Sequence, residues 1–210
     1  MSRVLPILFN GDMVRAILDG RKTVTRRAVK YKYSNTEMKV RTDKYGTRLI
    51  EIQSDVEGET YGKNPDGSTW HKLRGYIEKN PPYGKGDILY VRETWAEWTG
   101  GYIYRTWISP FPQPGSYPTT VWRPSIHMPK EAARIWLKVM GVRVERLQEI
   151  TIDGCEEEGC WCGHNGDIFT FMALWDSTIK KSDLNRYGWD ANPWVWVIEF
   201  ERCGKPESGG

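Results

Sequence analysis

From Gly20 to Arg27 the chain reads Gly-Arg-Lys-Thr-Val-Thr-Arg-Arg, which places Arg21, Lys22, Arg26 and Arg27 beside two hydroxyls, Thr23 and Thr25. Guanidinium forks and hydroxyls are the groups that recognise phosphate or carboxylate, so an anion site is one reading of this run. A solvated basic edge strand is the plainer one. Strict alternation would put Lys22 and Thr25 on opposite faces, and they converge only where the segment bends. A second candidate is Glu93, in Ile88 to Trp95 (Ile-Leu-Tyr-Val-Arg-Glu-Thr-Trp). A period of two aligns it with Leu89, Val91 and Trp95 on the more apolar face. A carboxylate there pairs with a cation, carries a raised pKa through desolvation, or reaches water at the strand end.

Cys155, Cys160, Cys162 and His164 put four soft ligands within ten residues. Zinc sites usually pair ligands two to four residues apart on two separate turns. The spacing here crowds all four onto one acidic loop, so free thiols in an insertion are the expectation, with no metal and no cofactor. His127 lies between apolar neighbours with no second His nearby, and is read as a packed core histidine.

Several elements must position these groups. Leu5 to Phe9 reads as a first strand, and Asn10, Gly11 and Asp12 offer caps for a helix whose buried stripe is Met13, Val14, Ile17 and Leu18. Gly20 stops that helix. Lys39 to Thr42 and Thr47 to Ile52 read as a hairpin turning at Asp43 to Gly46. Gly58 to Gly75 is expected to be an exposed loop with a turn at Asn64-Pro65-Asp66-Gly67. After the strand ending at Trp95, Tyr102 to Ile108 is a further strand and Pro110 to Pro118 a loop. Pro129 to Ala133 is a short helix, and Leu137 to Leu147 a long strand bulged at Gly141. Asp167 caps a helix over 167 to 179 whose buried stripe is Ile168, Phe171, Met172, Trp175 and Ile179. Trp194 to Phe200 is apolar on both faces and therefore a central strand.

With 210 residues, 27% charged and 39% hydrophobic, the composition fits one soluble globular domain. That domain spans 1–203, with insertions at about 28–80 and 153–166 and an unstructured tail at 204–210. No apolar run approaches the roughly 20 residues of a membrane helix, and the N-terminus lacks a signal-peptide pattern, so a cytoplasmic protein with reduced cysteines is expected. Eleven tryptophans are unusual and serve either core packing or stacking. Net charge is +3, yet unevenly spread. Arg21 to Arg48 holds ten Lys or Arg against two acids, whereas Glu145 to Asp167 holds seven acids and one base. Such polarity steers an anionic partner to one side.

Five or more strands with a few short helices and no βαβ alternation predict an α+β protein, a small mixed β-barrel with helices packed at its ends. The Gly20–Arg27 run and Gly86-Asp87-x-x-x-Val91-Arg92-Glu93-Thr94-Trp95 together resemble the ASCH domains. The Pro124-Ser-Ile-His-Met-Pro129, Arg143-Val-Glu-Arg-Leu147 and Asn192-Pro-Trp-Val-Trp-Val197 segments are similar to the larger, prophage-type branch. The resemblance covers the start of the chain, 84–95, 122–150 and 172–202, and leaves out 28–80 and the cysteine segment. It implies a PUA-like barrel, a fold shared with RNA-binding modules. Small bacterial members are amidohydrolases acting on N-acetylated cytidine, and their catalytic Lys, Thr and Glu correspond to Lys22, Thr25 and Glu93. On that pattern Thr25 is the nucleophile, Lys22 the base after its pKa is depressed, and Glu93 the group that orients Lys22 or handles protons. Arg27 matches the family's Arg, and Arg21, Arg26 and Trp95 are the expected ligand contacts beside it. A non-catalytic RNA- or nucleotide-binding module, using the 21–48 region for phosphates and tryptophans for stacking, is the alternative. A phage accessory protein that binds another protein is a third.

Overall fold

A computed structural model describes residues 2–32, 36–43, 46–53, 60–63, 69–71, 77–98, 100–107, 121–160 and 167–206. The first elements are β1 (Val4–Leu8), α1 (Gly11–Leu18) and β2 (Val24–Ala28). They are followed by β3 (Thr36–Asp43), β4 (Gly46–Gln53), β5 (Thr60–Lys63), β6 (Thr69–His71) and β7 (Ile77–Lys79). Then come β8 (Ile88–Arg92), β9 (Trp95–Trp98), β10 (Gly101–Tyr104) and β11 (Trp136–Arg146). The chain closes with α2 (Ile152–Glu157), α3 (Ile168–Thr178), α4 (Leu184–Tyr187) and β12 (Trp194–Cys203).

The main sheet has the order β1-β8-β11-β12-β2, with β1 parallel to β8 and the remaining pairs antiparallel. Its apolar content explains the order. On β12, Trp196, Ile198 and Phe200 enter one buried cluster while Val195 and Val197 enter another beneath α3. A strand covered on both faces belongs in the middle of a sheet, and β12 lies between β11 and β2. The long β11 is bulged between Val139 and Gly141, as expected of a glycine inside a strand. The two sheet edges approach each other through a side chain, Arg27 Nη2 donating to the Leu8 carbonyl at 2.7 Å. Among the described residues no ladder joins β1 to β2. The architecture is α+β and strand-rich with a few short helices, built on a five-stranded sheet, and among the described residues no closed barrel is detected.

The 28–80 segment is built onto this core. It forms a three-stranded sheet, β3-β4-β7, plus the β5-β6 hairpin, which occupies part of the stretch read as an exposed loop. Met38 and Leu49 join Val29 in the first cluster. Glu51, wholly buried, accepts from the Lys32 amide at 2.9 and 2.8 Å and from the Thr36 hydroxyl at 2.5 Å, and pairs with Lys79. Residues 44–45 and 64–67, expected as turns, lie outside the described residues, as does the proline-rich loop, whereas the strand expected from Tyr102 to Ile108 ends at Tyr104 and gives way to a 3₁₀ turn at Arg105–Trp107.

Two further departures have local causes. The strand expected from Ile88 to Trp95 breaks at Glu93 and Thr94, because β8 stays in the main sheet while β9 turns away to pair with β10. His127 is exposed at the end of a 3₁₀ turn, and its neighbour Met128 is the side chain taken into the core. The helix expected from Pro129 to Ala133 is a single 3₁₀ turn, Lys130–Ala132. No helix among the described residues is long and apolar enough to cross a membrane.

Asp87 ties the first strand to the turn before β8. It accepts from the Arg3 amide at 3.1 Å, from Arg3 Nε and Nη2, and from the Gly84 amide at 2.8 Å. The Arg3 guanidinium, helped by those amides, holds its carboxyl at about 2 against the ordinary 3.8. A carboxyl whose folded pKa is depressed stabilises the fold above its unfolded value and loses that contribution as pH falls through the folded one. Unfolding measured between pH 4 and 2 should therefore show wild type losing more stability than Asp87→Asn. Parallel acid limbs would remove Asp87 from this role.

Candidate functional site

The basic run emerges from α1, whose N-terminus is capped by Asn10 Oδ1 accepting from the Met13 amide at 2.9 Å. Gly20, at φ +76°, reverses the chain, and the amides of Arg21 and Lys22 both return to the Ala16 carbonyl at 2.9 and 3.0 Å. This bend carries Lys22 inward before β2 begins. It is what alternation alone could not supply.

The partner of this bend is the end of α2. The Gly159 amide bonds to the Glu156 carbonyl at 2.8 Å and the Cys160 amide to the Cys155 carbonyl at 2.9 Å, with Gly159 at φ +82°, the pattern of a Schellman motif. A Cβ at Gly159 would lie 2.8 Å from Ala16 Cβ and 3.2 Å from Lys22 Cβ, so glycine allows the two helix ends to interlock. Lys22 and Glu158 form a backbone bridge, and the Thr23 amide donates to the Glu157 carbonyl at 2.9 Å. Cys155 and Cys160 are the motif's apolar pair, buried in the second cluster. Burial pushes both thiols up to about 11, so they stay protonated near neutrality. Cys162 and His164 lie outside the described residues, and among the described ones no group of three or more His, Cys, Asp or Glu is arranged to hold a metal.

Glu158 is the centre of the arrangement. Lys22 Nζ forms an ion pair with its carboxylate and donates to its carbonyl at 2.9 Å, both side chains being buried. The other carboxylate oxygen accepts from the Arg26 amide at 2.7 Å and from Arg26 Nη1 at 3.3 Å. Arg26 Nε donates to Glu145 at 2.8 Å. Burial lowers the Lys22 pKa, and the neighbouring Glu158 opposes the shift. Burial likewise lowers that of Arg27, whose guanidinium stands 5.2 Å from the Phe9 ring centroid and has a backbone carbonyl as its hydrogen-bond acceptor. Thr25, buried, lines a recess of about 20 Å³ with Met13, Arg27, Glu158, Phe171 and Trp175. That volume holds one water.

No family model, curated protein or solved structure matches the chain.

The hydrogen-bond partners of Glu93 are Arg134 and Thr106. Its carboxylate meets Arg134 in a fork, Nε to Oε1 at 2.8 Å and Nη2 to Oε2 at 3.0 Å, and accepts from the Thr106 hydroxyl at 2.5 Å. Of the three readings open from the sequence, pairing with a cation is the one found. Lys22 and Thr25 thus gather around Glu158, whereas Glu93 has partners of its own. Arg21 is exposed and pairs with Asp19 at 2.9 Å. Trp95 is buried in a third cluster, edge-on to Tyr102 at 5.5 Å and 5.3 Å from the Arg123 guanidinium. Its ring is thus occupied by packing.

Sequence reasoning did not single out Glu158, Glu145, Arg134 or Thr106. The acidic block from 145 to 167 was the available signal, since it complements the basic run in sign, but it does not separate Glu158 from Glu156 or Glu157.

Proposed function

We propose that this chain is a cytoplasmic ASCH-type protein of PUA-like fold that binds a nucleoside or RNA and hydrolyses an N-acetylated cytidine. The observation that carries the reading is the desolvated Lys22 amine, held on Glu158 beside the Thr25 recess. Burial disfavours the charge on Lys22 and lowers its pKa, so the amine gives up its proton more readily than a surface lysine does and is left free. That amine accepts the Thr25 proton as the hydroxyl oxygen adds to the acetyl carbonyl. The N–C bond then breaks, the cytidine amino group leaves with the proton, and water releases acetate from Thr25. Glu158 takes the orienting place that the resemblance gives to Glu93. Arg27, with a carbonyl as its acceptor, faces the same recess and suits an oxyanion. The recess is small, so an acetylated base enters as α3 yields at Phe171 and Trp175.

The test is turnover of N-acetylcytidine by purified protein. Thr25→Val keeps the shape of the side chain and should reduce kcat/KM to background. Lys22→Ala should lower it by about a hundred- to ten-thousandfold, the range for a positioned base. Because Lys22→Ala also strands Glu158, its urea-unfolding midpoint against wild type serves as the folding control. No turnover over a panel of acylated nucleosides would favour the second reading, a binding module. The full neutralisation of Lys22 by Glu158 is the observation on that side.

A further inference from the structure

The cations first read as phosphate contacts are largely engaged within the protein: Arg21 by Asp19, Lys22 by Glu158, Arg26 by Glu145 and Glu158, and Arg27 by the Leu8 carbonyl. A different surface has the complementary properties. A cleft of about 290 Å³ opens between α1 and the 3₁₀ turn at Arg105–Trp107, lined by Gly11, Arg15, Thr94, Arg105 and Thr106. Among the described residues two guanidiniums and two threonines line it, and no carboxylate does. Arg105 is exposed, and among the described residues no acid pairs with it. Arg15 pairs with Asp12 at 2.8 Å, but both side chains are half or more exposed, and such a pair contributes little and yields readily to a competing anion.

The floor of this cleft is rigid. The Arg105 amide donates to the Thr94 carbonyl at 3.0 Å, which fixes the turn against the motif residue. Thr106 donates its proton to Glu93 and accepts from Arg134 Nη2 at 2.7 Å. Arg134 in turn lies 4.4 Å from the Tyr104 ring centroid and 4.6 Å from that of Trp107. With the Thr106 proton engaged, Arg105, Arg15 and Thr94 are the lining residues whose side chains carry further donors. At Gly11 a Cβ would come no closer than 3.7 Å, to Thr106 Cγ2, so the near wall is a bare backbone. Trp107, the last residue of the turn, is 56% accessible.

We infer that this cleft is a phosphate site, taking the phosphate ester of a nucleotide, free or within an RNA strand. The inference rests on the nucleoside reading above and relocates its charged contact from the 21–27 run to Arg105 and Arg15. Calorimetric titration with cytidine 5′-monophosphate, cytidine and inorganic phosphate tests it, using wild type, Arg105→Ala and Arg21→Ala. Both variants alter exposed side chains and should fold. The monophosphate should bind wild type at least about tenfold more tightly than cytidine, as one charge-assisted contact set allows. Arg105→Ala should erase that advantage and Arg21→Ala should keep it. Equal binding of monophosphate and cytidine, or an advantage that survives Arg105→Ala, would overturn the site. If phosphate and monophosphate bind equally and depend on Arg105 while cytidine does not bind, the cleft stands as an anion site and the nucleoside reading falls. Absence of binding by all three overturns the site.

Discussion

Glu158→Ala is expected to destabilise the protein by about 3–5 kcal/mol, because it leaves Lys22 and Arg26 buried without their shared counter-charge. The carboxylate serves both cations and the Arg26 amide, so one truncation orphans three donors. Glu158→Gln retains an acceptor for them and should cost less. Glu157→Ala, next in sequence but exposed, should stay within about 0.5 kcal/mol, as surface substitutions usually do. Urea unfolding reads this as a shift of the midpoint at constant slope. A loss below about 1 kcal/mol in Glu158→Ala would show that the corner between α1 and α2 does not depend on this carboxylate.

Glu93→Ala should cost a similar amount, about 3–5 kcal/mol, and for a separate reason. Glu93 is buried and its carboxylate closes the fork with Arg134, while Arg134 is packed between Tyr104 and Trp107. Removing the acid leaves that guanidinium facing an empty, dry position. The double variant Glu93→Leu/Arg134→Met replaces the pair by apolar groups and should recover most of the loss, since a well-packed apolar pair is often as stable as a buried ion pair. The two outcomes separate a positioning role from a chemical one. If Glu93→Gln keeps the stability of wild type but removes N-acetylcytidine turnover, Glu93 takes part in the reaction, as the motif resemblance implies. If stability and turnover fall together and both return in the double variant, its work is to hold Arg134 and Thr106.

The two sites are linked through one piece of backbone. The Phe9 amide donates to the Arg92 carbonyl at 3.3 Å, directly before Glu93, and the Phe9 ring lies beneath both Lys22 and Arg27. The Thr25 recess meets α1 at Met13 and the Arg105 cleft meets it at Gly11 and Arg15, on the opposite face of the helix.

Local chemistry made several elements readable from the sequence. Asn10 caps α1, Gly20 ends it and Asp167 caps α3, because each choice is settled by hydrogen bonds and backbone freedom within a few residues. The double-sided apolar pattern of 194–200 placed β12 in the middle of its sheet, and Gly141 marked the bulge in β11. The presence of Lys22, Thr25 and Glu93 was equally plain. Their grouping was not. Whether a buried amine meets Glu93 or Glu158 depends on where α2 docks, across 136 residues of sequence separation, and three consecutive glutamates at 156–158 look alike until a Schellman turn aims one of them inward. The strand through Ile88 to Trp95 broke for the same kind of reason, since β9 takes its partner from β10 rather than from the main sheet. Periodicity and caps are properties of neighbours along the chain. Charge pairing and strand partnership are properties of neighbours in space, so only the folded structure decided which acid neutralises which base.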